Sequence, residues 1–495
     1  MRLPTFIFRK KLFLLPICFC SLLPIVHFSF NREYRNNGSP NRTDFKAFIT
    51  SSYYYPKSKS LGDNALALVM TINQKGGQWS GEYNMRKQPD IIVEASNGTD
   101  TMIIQTNYTK ITPHETCHMI AIIAMVQVLP NTHSISLISG NGSVAIPFEV
   151  PPNVHHDVVV CISPLFISEQ WQNFLFAVHI YKKFGAFMNL YLISAVDSFY
   201  HLMKEYEKEN YLTIQPWVSA KFIGVPSEIA DPYNDIEFRN QAGSQTDCLL
   251  KYKETAKYVT FLDLDDVLVP RLAPNYVEEF DLMARDRKVF LHYHKENHEI
   301  STVKRGEKFS FSNMFRSLKH KRKRETGKIV LNPRVLNYTW IHFPPTMPDG
   351  VKKVIVDDNS ITHLKSINWL NDFPRGKLPK YHNYASFNIL EDELIEEIEE
   401  DWMRMKNKSR ALKYLPVDRF YTRIISNCYY EKFYKFNDEG IVDCPGPQLC
   451  LYPQREDIKC MRVDATYHNV PSLEPISYFY ATEPRFSSEK GCYPH

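Results

Sequence analysis

Asp263, Asp265 and Asp266 are the residues whose type and spacing most directly suggest chemistry. They follow Tyr258-Val259-Thr260-Phe261-Leu262, a short β-branched and aromatic run that reads as a buried strand. In an α/β sheet, ligands bind at the carboxyl ends of such strands. If the chain stays extended past Leu262, the two-residue period puts Asp263 and Asp265 on one side and turns Asp266 away. Two carboxylates converging there make a hard-cation site for Mn²⁺ or Mg²⁺, whose remaining ligands could be phosphate oxygens of a substrate. A plain acidic turn after a strand has the same composition, so the surrounding sequence must decide.

Upstream, strand and helix alternate. Asp157–Ile162 reads as a strand, Glu169–Phe184 as an amphipathic helix stopped by Gly185, and Leu190–Ile193 as a second strand. Ser198–Glu209 reads as a helix capped by Ser198, Leu212–Gln215 as a strand and Gln241–Tyr252 as a helix leading into the acidic motif. Val289–His292 resumes the β pattern. The expected fold class is α/β, a mostly parallel sheet with helices on both faces. No glycine-rich phosphate cradle of the dinucleotide or P-loop type occurs.

From Leu66 to Val150 the pattern is short β-prone runs, Leu66–Ile72, Met102–Thr106, Ser134–Ile138 and Val144–Val150, and implies a β-rich accessory region. Cys117–Val128 has a length at which strand and helix cannot be separated. Residues 299–329 are polar and basic, including Lys319-His320-Lys321-Arg322-Lys323-Arg324. They read first as a solvated loop; a rim attracting a nucleotide diphosphate and a docking site for an acidic partner are the alternatives. A net charge of +4 over 495 residues offers no global field for nucleic acid, and 44% apolar content argues for globular structure.

At the amino end, Arg2, Arg9, Lys10 and Lys11 precede Leu12–Phe30, a stretch without Asp, Glu, Lys or Arg. It is long enough for a bilayer and lacks a small-x-small cleavage site, so a retained anchor is expected ahead of a cleaved signal. Basic residues before it keep the amino end cytosolic. Sequons at Asn37, Asn41, Asn97, Asn107, Asn141, Asn337 and Asn407, and an even set of cysteines beyond the anchor, agree with a lumenal body. The expected plan is a cytoplasmic tail 1–11, anchor 12–30, polar stem 31–60, β-rich region 61–155, main domain 156–400 and a disulfide-stapled extension 401–495. Spacing does not give the pairing, but the segment from Cys428 to Cys492 reads as a local disulfide-stapled tail.

The main domain resembles glycosyltransferase family 92, a nematode-expanded family. Val160-Cys161-Ile162-Ser163-Pro164-Leu165-Phe166 with Trp171 looks like its opening. Arg239-Asn240-Gln241, Asp247-Cys248-Leu249 and Phe261 to Pro270 resemble its centre, where Asp266 stands in place of the usual Glu. Pro333-Arg334 and Trp340-Ile341-His342-Phe343 resemble the third block. The closing His-His-Tyr-Arg block is Thr362-His363-Leu364-Lys365 here.

The resemblance implies a GT-A-like fold in a type II membrane protein of the secretory pathway that transfers galactose from a UDP-sugar to a glycan or glycoprotein acceptor, with inversion. The need to share a compartment with glycans and a Mn²⁺ supply favours the Golgi membrane. It implies Asp263, Asp265 and His363 as metal ligands, His342 competing for the third place, and Asp263, Asp247 and Arg239 as groups holding the donor. Inversion calls for a carboxylate base, for which Asp266, Asp349 and Asp357 are candidates beside the catalytic Asp265. Trp217, Trp340 and Trp369 could stack on sugars or pack the core. The alternative reading is a non-catalytic glycan- or nucleotide-sugar-binding protein on the same fold.

Overall fold

The computed structural model describes residues 45–492 except 74–88, 114–116, 227–230, 233–234, 286–287, 370–388, 436–443, 447–449 and 454. The first eight strands are β1 (Phe45–Tyr55), β2 (Ala65–Asn73), β3 (Ile91–Ser96), β4 (Thr101–Thr106), β5 (Tyr108–Lys110), β6 (Met119–Gln127), β7 (Ser134–Ser139) and β8 (Gly142–Ile146). They form two sheets, β1-β2-β6-β5 and β4-β3-β7-β8. Leu66, Met70 and Ile122 from one sheet share a buried core with Val93 and Leu137 from the other, which makes a β-sandwich. The ambiguous run before Val128 is therefore a strand, β6, fixed by pairing on both edges.

Residues 45–55 correct the expected polar stem. Tyr53, Tyr54 and Tyr55 are buried in β1. Their hydroxyls all have acceptors: Asp247, Asn64 and the Leu250 carbonyl. An aromatic ring whose polar tip is satisfied can be buried at little cost.

The next segment runs β9 (His156–Leu165), α1 (Trp171–Lys183), β10 (Ala186–Leu192), β11 (Ser194–Val196), α2 (Asp197–Lys208), β12 (Leu212–Pro216), α3 (Gln241–Lys251), β13 (Ala256–Leu262) and β14 (Asp266–Leu268). It continues with α4 (Tyr276–Ala284), β15 (Val289–Thr302), α5 (Phe311–Arg316), β16 (Lys319–Leu331), β17 (Lys352–Trp369) and α6 (Asp392–Lys408). Eight of these strands make one sheet, β12-β10-β9-β13-β16-β15-β17-β14. Strands β12, β10, β9 and β13 are mutually parallel, as expected. Beyond them β16 runs antiparallel to both neighbours and β14 antiparallel to β17, so the sheet is mixed.

Successive residues of β9 and β13 face opposite cores. Val158, Val160 and Leu262 pack with α1, α2, α4 and α6, while Val159, Cys161 and Phe261 pack with α3. Helices thus cover both faces. Gly185 does stop α1, at φ +83°, where a side chain would be strained. Ser198 does not cap α2, which begins at Asp197 after Val196.

The basic stretch is not a solvated loop. Lys319–Leu331 is β16, and its register sets Arg324 opposite Glu296 and Lys319 opposite Glu299. Arg324 Nε lies 3.0 Å from Glu296, and Lys321 pairs with Glu299. Cross-strand acid–base pairing makes a basic strand admissible, and it cannot be read from the basic run alone.

The carboxyl-terminal part adds α7 (Thr422–Tyr429), β18 (Lys459–Tyr467), β19 (Ile476–Phe479) and β20 (Ala481–Lys490). Strands β11, β18 and β20 form a small sheet, and β19 pairs in parallel with β1 of the sandwich. Disulfides join Cys117–Cys444, Cys161–Cys248, Cys428–Cys450 and Cys460–Cys492. Cys428–Cys450 and Cys460–Cys492 staple the carboxyl-terminal part locally, as expected, whereas Cys444 reaches back to the sandwich. Among the described residues no helix is long and apolar enough to cross a membrane; the expected anchor at 12–30 lies outside them.

Candidate active site

Strand β13 does not continue through the acidic motif. It stops at Leu262, and the Asp266 amide donates to the Asp263 carbonyl at 3.0 Å, closing a turn. The chain then enters β14, where Asp266 sits opposite His363 of β17, and the Leu364 amide donates to the Asp265 carbonyl. Facing residues of paired strands share a side of the sheet, so the Asp266 carboxylate meets His363 Nδ1 at 2.8 Å. Lys295 Nζ approaches its other oxygen at 3.2 Å. One donor atom each from Asp265, Asp266 and His363 falls within a 4.8 Å group. Asp266, expected to turn away, stands where Asp263 was expected, because the turn broke the two-residue alternation.

Asp263 instead faces Lys328, whose ammonium is 3.0 Å away and almost wholly buried. Gln241 Nε2 donates to the second Asp263 oxygen at 2.9 Å and also reaches Ser163. Burial alone would raise the Asp263 pKa, but Lys328 and Lys295 outweigh it and hold the group well below the usual carboxylate range. Asp265 moves the other way: burial raises it and the Asp266 and Asp263 charges add to that, against the opposing pull of His363. For His363, burial lowers the pKa, and the hydrogen bond to Asp266 with the charges of Asp265 and Asp266 more than restores it, leaving it raised. The turn thus has an Asp263 end neutralised by Lys328 and an end where the Asp265 and Asp266 carboxylates share Lys295 and His363.

A cleft of about 280 Å³ opens at the carboxyl ends of β9 and β13. Ser163, Phe166, Arg239, Gln241, Asp263 and Asp265 line it, with Thr422, Ile425 and Ser426 of α7 on the opposite wall. Arg239 lays its guanidinium 3.2 Å from the centre of the Phe166 ring. The backbone there is strained: Phe238, Arg239 and Asn240 have φ of 40°, 53° and 63°. A left-handed non-glycine residue costs roughly 1–2 kcal/mol, so something must hold this turn. Glu169, also lining the cleft, accepts hydrogen bonds from the amides of Phe420, Tyr421 and Thr422 and thereby fixes the entry to α7.

Other sequence candidates lie elsewhere. Asp247 is buried, with one oxygen 2.8 Å from the Tyr53 hydroxyl and the other bonded to Tyr191; it joins α3 to the sandwich and is not among the cleft-lining residues. The reason is that α3 turns this side of itself towards β1. His342 Nδ1 contacts the Gly327 carbonyl at 3.0 Å and is not one of the three donor-atom residues. Asp349 and Asp357 are exposed and do not line the cleft. Trp217 is buried core, and Trp340 donates to Glu237. Lys295, Lys328, Gln241 and Glu169 were not singled out by sequence; only Gln241, in the Arg239-Asn240-Gln241 block, carried any signal.

Residues 156–406 match the Glycosyltransferase family 92 domain. Two Caenorhabditis elegans relatives extend the likeness to nearly the whole chain. Glycosyltransferase family 92 protein C33H5.2 is 48% identical over 93% of this chain and 93% of its own length. Glycosyltransferase family 92 protein ZK381.2 is 36% identical over 90% and 89%. The chain belongs to glycosyltransferase family 92. It is accordingly a glycosyltransferase, with its family domain carrying the acidic turn and most of the cleft lining, and α7 beyond the domain adding the rest. Among solved structures, residues 1–349 of S. aureus TarS match 42% of this chain and 60% of that one, at 9% identity and a TM-score of 0.20, too low to support any further step.

Proposed function

We propose that this glycosyltransferase is a metal-dependent, inverting enzyme that moves galactose from a UDP-sugar to a glycan or glycoprotein acceptor. The observation that carries the reading is the convergence of Asp265, Asp266 and His363 beside a cleft at the carboxyl ends of parallel strands. Carboxylate and imidazole donors suit Mn²⁺, and the Asp265 carboxyl, raised by burial and by the neighbouring Asp266 and Asp263 charges, is a group that a bound cation would hold in its charged form. When bound, the cation would neutralise charge developing on the departing diphosphate. Asp265, at the cleft, would face the donor, while Asp266 is locked by His363 and Lys295 and would orient the imidazole. Fully buried in that contact, Asp266 is poorly placed to act as the base for an acceptor hydroxyl. Arg239 would meet the diphosphate, and Gln241 would keep Asp263 turned to the cleft.

The GT-A-like architecture and a type II Golgi address belong to the same proposal. The apolar stretch 12–30, the sequons and four disulfides support a lumenal body. An uncleaved amino-terminal tag that remains digestible while the body is protected in intact vesicles is the expected topology result.

The deciding assay screens UDP-sugars against a glycan panel, with Mn²⁺ or with chelator, for the wild type and Asp265→Asn. Transfer from UDP-galactose that requires the cation and disappears in the variant is expected. Undiminished transfer by Asp265→Asn would sink the assignment, and UDP binding without turnover on any glycan would leave only a binding protein.

A further inference from the structure

We propose that the β-sandwich is a positioning part of the transferase site, acting through Asn240, which holds the strained turn that presents Arg239 and Gln241 to the cleft. This rests on the reading of that cleft as the donor site. The turn contains three consecutive left-handed residues, none of them glycine. A conformation of this kind persists only where its surroundings over-determine it.

The surroundings are specific. Asn240 Nδ2 donates to Thr71 Oγ1 at 3.0 Å and lies 3.3 Å from Thr50 Oγ1, and both threonines belong to the sandwich. Thr50 sits at the irregularity in β1–β2 pairing, between Ile49 and Ser51, and a bulge of this type re-aims a side chain. Thr71 is fully buried, so its hydroxyl is not a solvent group that happens to be near. Gly243 completes the fit: a Cβ there would lie 2.3 Å from Asn240 Oδ1, so α3 has no side chain where the Asn240 amide passes. From the other sides, Trp217 Nε1 donates to the Arg239 carbonyl at 3.3 Å and the Phe238 amide donates to the Pro445 carbonyl at 2.7 Å. Pro445 follows Cys444, which is disulfide-bonded to Cys117 at the edge of the sandwich. The sandwich therefore grips the turn twice, through Asn240 and through the Cys117–Cys444 link.

The consequence is directional. Loosening the grip should relax Arg239 and Gln241 together, weakening donor binding before it affects the acidic turn. Thr71→Val keeps the shape and removes the hydroxyl; Thr71→Ser restores it. Loss of one neutral hydrogen bond predicts a rise of about three- to tenfold in UDP Kd and in donor KM, with kcat and acceptor KM unchanged, and recovery in Thr71→Ser. A merely structural role would lower Tm without this split. Gly243→Ala should be harmful in the wild type and nearly neutral in Asn240→Gly, where no amide remains to collide.

Hydrogen exchange of the amides of 237–241 reads the tether without any ligand, and should accelerate in Thr71→Val. Wild-type affinity for UDP together with unchanged exchange in Thr71→Val overturns the proposal. If the wild type binds no UDP, the donor reading fails on its own, and exchange at 237–241 still decides whether Thr71 holds the turn.

Discussion

Two Asp–His pairs in this molecule have the same contact distance and opposite characters. Asp266 meets His363 Nδ1 at 2.8 Å beside the cleft, and Asp401 meets His179 Nδ1 at 2.8 Å between α1 and α6. His179 is fully enclosed; its second ring nitrogen is 2.7 Å from the Tyr206 hydroxyl, and Phe311 and Trp402 contact its ring edge-on. Burial pulls the His179 pKa down despite Asp401, whereas two carboxylates near His363 carry its pKa up against burial. Asp401 is the mirror image of Asp265. Burial would raise it, but His179, Arg404 and Tyr211 hold it far below the usual range, while Asp265 is raised. A buried Asp–His pair is thus not itself a site. Surplus carboxylate next to a cleft makes it one, and complete hydrogen bonding makes the other a structural joint.

The largest expected separation comes from neutralising one carboxylate in each place. Asp265→Asn should cut cation-dependent transfer by on the order of a hundredfold or more, and should leave Tm unchanged or raised, since it removes a like charge from the turn. Asp401→Asn should leave transfer intact and cost roughly 1–3 kcal/mol of stability, because it weakens a charged hydrogen bond to a buried histidine. Activity and urea melts of both variants check this. A stability loss in Asp265→Asn with intact Asp401→Asn stability would erase the distinction between site and joint.

The opposite pKa directions give opposite pH slopes. His363 has a raised folded-state pKa, so its contribution is fully present below its unfolded value of about 6.5 and is lost as pH rises through the folded value. His179 has a lowered folded-state pKa, so the unfolded chain takes up the proton first as pH falls below about 6.5, and its contribution is lost in that direction. In chelator-treated protein, the stability gap between wild type and His363→Gln should narrow on raising pH from 6 to 8. The gap for His179→Gln should narrow on lowering it from 7 to 5. Parallel behaviour of the two gaps would show that the flanking carboxylates do not govern His363.

Sequence made one half of this comparison visible and hid the other. Strand β13, its abrupt acidic end and the alternating elements from Asp157 onward follow local rules of period and propensity. What failed was any inference depending on a partner distant in sequence. The side on which Asp266 lies depends on β14 pairing with β17, 97 residues away at His363. Lys319–Arg324 becomes a strand because Glu296 and Glu299 face it, and Phe45–Tyr55 leaves the stem because α3 and β19 receive it. Asp247 looked like a ligand by motif, yet two tyrosines from different sheets take both of its oxygens. His179 and Asp401, 222 residues apart, gave no sequence signal at all.

The smallest effect sharpens the joint. If Asp401 accepts from His179 Nδ1–H, then Nε2 is the acceptor and the Tyr206 hydroxyl donates to it, which favours neutral imidazole. Tyr206→Phe keeps the ring that packs edge-on against Phe174 and His179. It deletes only the donor, leaving a buried lone pair, at a cost of about 1 kcal/mol at neutral pH. Losing that donor also removes a preference for the neutral form, so the folded-state pKa of His179 should rise towards its unfolded value. The acid-side loss of stability should then be shallower than in the wild type, with transfer activity unaltered. Urea melts at pH 5 and pH 7 measure both effects: a smaller penalty at pH 5 than at pH 7 is expected. A penalty larger at pH 5 would mean that the hydroxyl accepts from Nε2–H and that the joint is held as a charged pair.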